Sequence, residues 1–254
     1  MCGRFVSASS PDELAQYFGA DIPGHAPGGN GSDLNGLVPN YNVAPTDPVP
    51  AVRAHDGHRE LVGFRWGLVP YWAKDRRIGA RMINARAETV FTKSAFRGAV
   101  ERHRCLIPAD GFYEWAEVPG HRTKQPYFIH HRDDEPLVFA GVWDRWRPRR
   151  DPDESAPVAG DEVVPAMLET CAVITCPANA TMAPVHDRMP VLLTPDQWDH
   201  WITPTDDPRA LADLLAPAPE GALVLRPVTT RVNNVRNNGV ELLDPEPHPQ
   251  QPGS

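Results

Sequence analysis

The chain has 254 residues, 41% of them hydrophobic, with a formal net charge of −8 and four cysteines. No apolar run approaches the ~20 residues that span a bilayer. Asp12 and Glu13 stand where a signal peptide would be hydrophobic, and so few cysteines make no disulfide framework, so a cytoplasmic globular chain with no membrane partner is expected. The charge is uneven: Leu61 to Arg104 holds ten basic and three acidic residues, a net +7, which leaves −15 for the remainder. That is the footprint of a groove tracking a phosphate backbone or, equally, of a solvated face.

In chain order, Met1 precedes Cys2, and methionine is trimmed when the next side chain is small. Its removal leaves one residue with both an α-amine (pKa near ~8) and a thiol (near ~8.5). An aldehyde meeting that pair forms an imine, and the sulfur then closes a thiazolidine ring. The other reading of Cys2 is a frayed terminus. Ser10-Pro11-Asp12-Glu13 is a capping box with Pro at the first helical position, and Gly19 stops that helix. Residues 22–39, rich in Gly, Pro and Asn, read as a surface loop. Strands are predicted at 50–53, 60–66, 105–107, 112–115, 127–130, 137–142, 171–175, 191–193 and 222–228. Helices are predicted from Thr194 through Trp201 and from Asp207-Pro208, the latter with Leu211, Leu214 and Leu215 on one face. Residues 147–165 read as an acidic, Pro-rich insertion, and 245–254 as a disordered tail. The whole reads as one α+β domain over 1–244, β-rich, with curved antiparallel sheets.

Three polar clusters interrupt these strands. In a strand Asn84, Arg86 and Glu88 share one face, where an amide can orient a reacting group and Arg can clamp a phosphate; a solvated edge strand reads the same. Glu114 lies among Phe112, Tyr113 and Trp115, so desolvation should raise its pKa, unless it is an exposed strand residue. His186, Asp187 and Arg188 stand between Pro184 and Pro190, where an imidazole can relay a proton or bond an oxyanion. Cys171 and Cys176 face opposite ways on a strand and read as small buried hydrophobes, not a metal half-site.

Together these pieces resemble the SRAP family, whose members are named SOS-response-associated peptidases and abasic-site processing proteins. The resemblance rests on eight ordered blocks from Met1 to about Asn238: Met1-Cys2-Gly3-Arg4-Phe5, Tyr41-Asn42-Val43-Ala44-Pro45, Trp66-Gly67-Leu68-Val69-Pro70, Asn84-Ala85-Arg86-Ala87-Glu88-Thr89, Arg104-Cys105-Leu106-Ile107-Pro108, Gly111-Phe112-Tyr113-Glu114-Trp115, Lys124-Gln125-Pro126-Tyr127-Phe128 and His186-Asp187-Arg188-Met189-Pro190. It implies a barrel-like β architecture with a few peripheral helices. It also implies a covalent thiazolidine between the N-terminal cysteine and the ring-opened aldehyde of an abasic site in single-stranded DNA, shielding the lesion. The family's catalytic cysteine, asparagine, glutamate and histidine fall on Cys2, Asn84, Glu114 and His186. Its phosphate contacts fall on Arg4 and Arg86, and its base-packing aromatic on Trp72. One family DNA-binding arginine has no match, since Ser94 occupies its position; Lys93 can substitute only as a point charge. The resemblance further implies self-removal of Met1, lyase activity, no metal or cofactor, and a monomer meeting the nucleoid through DNA. Two other readings stay open. One is an N-terminal-nucleophile amidohydrolase, whose Asn-Gly segment here would be Asn30-Gly31; the other is a non-covalent DNA-binding module.

Overall fold

The computed structural model describes residues 2–23, 34, 37–119, 123–148 and 167–246. Among the described residues twelve strands form: β1 Phe5–Ser7, β2 Asn40–Val43, β3 Pro48–His55, β4 His58–Trp66, β5 Asn84–Arg86, β6 Arg104–Ala109, β7 Gly111–Ala116, β8 Gln125–His131, β9 Leu137–Trp146, β10 Leu168–Pro177, β11 Arg188–Pro190 and β12 Leu223–Pro227. β3 and β4 are joined by Asp56-Gly57, both at positive φ (48° and 81°), the turn whose twist matches a right-handed hairpin.

The second sheet runs β11-β10-β4-β3-β6-β9, and β10 also pairs with β9. The five strands β10, β4, β3, β6 and β9 therefore close into a barrel, which removes the exposed edges an open sheet would leave. The first sheet, β12-β8-β7-β1-β2, lies against it. Phe5 joins the two: its ring lies 4.9 Å from Trp66 and 5.9 Å from Phe139, both edge-on.

The β-rich, barrel-like expectation holds, with one amendment. β10 pairs parallel with β4 and β5 and antiparallel with β9 and β11, so the second sheet is mixed, while the first is antiparallel throughout. The helix α1, Pro11–Phe18, has its expected box: Glu13 N donates to Ser10 Oγ at 3.3 Å and Ser10 N to Glu13 Oε2 at 2.8 Å, and Gly19 ends it in the left-handed region at φ 56°. A short α2, Arg97–Arg102, carries no sequence signal that we read, and α3 spans Pro195–Ile202. From Asp207 the expected α-helix is instead a 3-10 helix, Pro208–Leu214, whose cap Asp207 accepts from Arg209 N. The strand expected at 191–193 lies earlier, at Arg188–Pro190, and Leu192 only bridges Phe139.

Most of the loop expected at 22–39, nearly all of the insertion at 147–165 and the tail from 247 lie outside the described residues. Pro245 bridges Val228, and Glu246 N donates to Pro227 O at 2.9 Å, so the chain is still tied to β12 past 244. Among the described residues no helix is long and apolar enough to cross a membrane.

Candidate active site

Antiparallel pairing of β1 with β7 sets Phe5 opposite Phe112 and Val6 opposite Gly111. Continued toward the terminus, that register brings Gly3 across from Glu114. Cys2 is thus no frayed end: it is 0% exposed and part of the core. Its backbone oxygen accepts Asn84 Nδ2 at 2.7 Å. Burial, and secondly the charge of Glu114, hold the thiol well above the ordinary value. The thiol is therefore neutral in this fold, unlike the partly ionised group expected from the sequence.

Glu114 is 4% exposed, and its carboxyl is pushed above the usual range first by burial, with His186 among the groups opposing the shift. The direction matches expectation while the surroundings differ. On β7, Phe112 and Glu114 share a face, whereas Tyr113 and Trp115 point the other way into a separate cluster with Val228 and Val232. The desolvating surface is the barrel side of the sheet.

Asn84 sits on the edge strand β5, which pairs with β10 through Val173 opposite Asn84. Its Oδ1 is buried and has no hydrogen-bond partner among the described residues. Arg86 follows on the same face, exposed, with Ala85 buried between. Glu88 does not share that face: the strand has ended, and Glu88 forms a two-pronged pair with Arg188, Nη2 to Oε2 at 3.0 Å. Arg188 Nη2 also donates to Thr175 O at 2.6 Å. The pair locks the turn after β5 to β11, which begins two residues after His186. His186 Nδ1 accepts Arg188 N–H at 2.9 Å and lies 2.8 Å from Asp187 Oδ1. Both contacts fall on Nδ1, the Arg188 amide on one side and the Asp187 carboxylate on the other, and together they fix the orientation of the ring. The fold thus gathers Cys2, Asn84, Glu114 and His186.

Arg4, just before β1, turns away from this cluster. Its Nη1 donates to Asn42 Oδ1 at 2.7 Å and Val232 O at 3.0 Å, and the guanidinium lies 5.8 Å over the Trp115 ring. Sequence reading gave Asn42 no role, yet it is 1% exposed; its place in the Tyr41–Pro45 block was the available signal. Trp72, 39% exposed, stands apart with Tyr71 at a cleft of about 340 Å³ that also exposes Ser94, Arg97 and Arg102. Arg104, counted in the basic stretch, is buried, and its guanidinium donates to the carbonyls of Val100, Glu101, Trp201 and Thr203. Among the described residues no cluster of three or more His, Cys, Asp or Glu is placed to hold a metal ion, and Cys171 and Cys176 are buried free thiols.

A family model described as SOS response associated peptidase (SRAP) matches residues 1–235. The abasic site processing protein YoaM of Bacillus subtilis is 38% identical over 249 residues, covering 98% of this chain and all of that protein. The abasic site processing protein HMCES of Gallus gallus is 33% identical across 82% of this chain and 66% of its own. A crystal structure of a Bacteroides thetaiotaomicron protein superposes with a TM-score of 0.78 at 24% identity, covering 96% of this chain and 100% of that one.

Proposed function

This chain belongs to the SOS response associated peptidase (SRAP) family, and from that premise we propose that it processes abasic sites in single-stranded DNA by forming a thiazolidine crosslink through Cys2 once Met1 is removed. The peptidase of the family name is read as the removal of Met1 by the chain itself. The reading places the protein in the cytoplasm, on DNA, as a monomer that shields the lesion. The observation that carries it is the placement of residue 2: fully buried, gripped by Asn84 at 2.7 Å and next to a carboxyl that burial pushes above the usual carboxylate range.

The abasic sugar enters beside Asn84 and His186, the partly exposed members of the cluster, and needs no base flipped out of a stack. Arg4 and Arg86 hold flanking phosphates, and Trp72 packs against a nearby base. Glu114 donates its proton to the ring oxygen as the anomeric hydroxyl loses one, giving the open aldehyde. The Cys2 amine attacks that carbon, oriented by Asn84, whose Oδ1, without a hydrogen-bond partner among the described residues, can accept an amine hydrogen. The His186 imidazole stabilises the alkoxide and helps it leave as water. Sγ then bonds to the imine carbon while the thiol proton passes to the imine nitrogen, so a neutral thiol suffices. One water leaves in all. In the lyase side reaction of this reading, the intermediate imine loses a C2′ proton, a C2′–C3′ double bond forms and the 3′ phosphate departs.

Intact mass after incubation with an abasic single-stranded oligonucleotide tests the proposal. The expected product is the chain without Met1 plus the oligonucleotide minus one water. Cys2→Ser keeps the amine and should give only an adduct trapped by borohydride. Wild-type protein that retains Met1 yet crosslinks fully, or a hydrolysis-resistant Cys2→Ser adduct, overturns it.

A further inference from the structure

Outside the basic stretch from 61 to 104 the chain is acidic, yet residues 221–240 hold three arginines, Arg226, Arg231 and Arg236, and no acidic residue. The fold brings this second basic segment to Arg4. Arg4 Nη1 donates to Val232 O at 3.0 Å. Asn42, which holds the same Nη1 through Oδ1, turns its Nδ2 to the carbonyls of Val232, Asn234 and Asn237 at 3.3, 3.1 and 2.9 Å. Asn237 Nδ2 donates to Arg231 O at 2.7 Å, and Trp115 Nε1 donates to Asn233 Oδ1 at 2.6 Å. Asn238 closes the edge of β2, accepting Tyr41 N–H at 2.8 Å and donating to Pro39 O at 3.2 Å.

Amides thus fix the loop from below, and its crest stands out. Val235 is 54% exposed, and Arg236 is exposed with no ion pair among the described residues. The other two arginines are engaged: Arg226 lies over the Phe128 ring at 5.5 Å, and Arg231 pairs with Glu241 at 3.6 Å. A cation on a loop already ordered by such bonds loses little backbone freedom when it meets a ligand. Its carrier is bonded directly to the guanidinium assigned to a phosphate.

We infer that the Val235–Arg236 crest is a further contact for the same DNA strand, Arg236 taking a phosphate near the one held by Arg4 and Val235 lying against the adjoining sugar. The inference rests on the proposed function, which puts the strand at Arg4. A phosphodiester fits because the crest offers a lone cation beside an apolar surface and the 221–240 segment supplies no carboxylate to repel it.

The test uses the full chain and a labelled single strand with a reduced abasic site, which binds without crosslinking. Wild type, Arg236→Ala and Arg236→Gln are titrated across a salt series, on the full strand and on strands trimmed on the 5′ or the 3′ side of the lesion. Both variants should bind several-fold more weakly, with a log–log salt slope shallower by about 0.7. Trimming one flank should abolish the deficit and trimming the other should leave it, a polarity that a general loss of structure does not produce. Wild-type slopes in the variants, or a deficit indifferent to either trimming, overturn the contact while the functional reading stands. A wild type that binds no abasic strand overturns that reading, and the crest with it.

Discussion

Burial acts in one direction on two side chains and serves two needs. It keeps the Cys2 thiol neutral, and it pushes the Glu114 carboxyl above the usual carboxylate range. For Glu114 the sign of the stability effect follows. Below the unfolded pKa of ~4.3 both states are protonated and nothing is lost; as pH rises through the raised folded value, the folded state must ionise a desolvated carboxyl and stability declines. Glu114→Gln removes that liability at nearly constant shape. Its melting temperature should exceed the wild type's at pH 8 and match it near pH 4, and a gap independent of pH would count against the raised carboxyl. The same variant should crosslink about 10²–10⁴ slower to a natural abasic site. The defect should shrink with an open-chain aldehyde; equal defects on both substrates would move Glu114 to a step after ring opening. Motif chemistry made the four clustered residues legible in advance. It could not show that Cys2 is wholly enclosed, because enclosure comes from strands far away in sequence. Nor did it single out Asn42, whose four bonds run to Arg4 and to a loop about 190 residues later. Asn42→Ala takes a partner from Arg4 and from three carbonyls; Val232 O keeps Arg4 and Asn234 O keeps the Asn237 amide, while Asn237 O loses its Asn42 donor. A buried orphan costs about 1–3 kcal/mol, so thermal unfolding should show a loss beyond that of an ordinary surface change.

At the scale of elements, what was readable carried its own signal. The boxes at Ser10 and Thr194 and the stop at Gly19 are local chemistry, and α1 and α3 begin where those boxes place them. Long strands were found, and their ends were short by a few residues. β1, β2 and β5 hold three or four residues each and exist only through their partners, so no periodicity announces them. Parallel pairing of β10 was equally hidden, since sequence alternation does not encode a neighbour's direction. The β1–β7 pair matters most for the site, and Gly111 shows why that block begins with glycine. A Cβ there would strike the Phe128 ring and come within 2.6 Å of Ile129 O, which is backbone of β8 and cannot swing aside. Gly111→Ala should therefore cost about 1–3 kcal/mol, roughly 2–4 °C of melting temperature per kcal/mol in a chain this size. It should also slow crosslinking, since Glu114 lies three residues along the displaced strand. A variant with wild-type stability would mean that β8 yields freely.

For the whole molecule, net charge is the wrong summary of how it meets a polyanion. A chain at −8 should repel DNA, yet its surface cations are grouped: Lys74, Arg81, Arg86, Lys93 and Arg97 are exposed along the basic stretch. Position in that stretch does not decide a residue's role. Arg104 belongs to it by sequence and is buried among four carbonyls, whereas Arg86 is open beside Asn84. The two should therefore fail differently. Arg86→Ala should leave melting unchanged, weaken binding to an abasic single strand and flatten the log–log salt slope by under one unit, since each phosphate neutralised on a single strand contributes about 0.7. Arg104→Met keeps the apolar stem but strands the carbonyls, so melting should fall by several degrees, while the protein that stays folded keeps the wild-type slope. Titrating both variants from low to moderate salt, alongside thermal unfolding, separates the two. A flattened slope in Arg104→Met, or an unchanged one in Arg86→Ala, would put the phosphate-tracking face somewhere other than the side of β5 that Asn84 and Arg86 share.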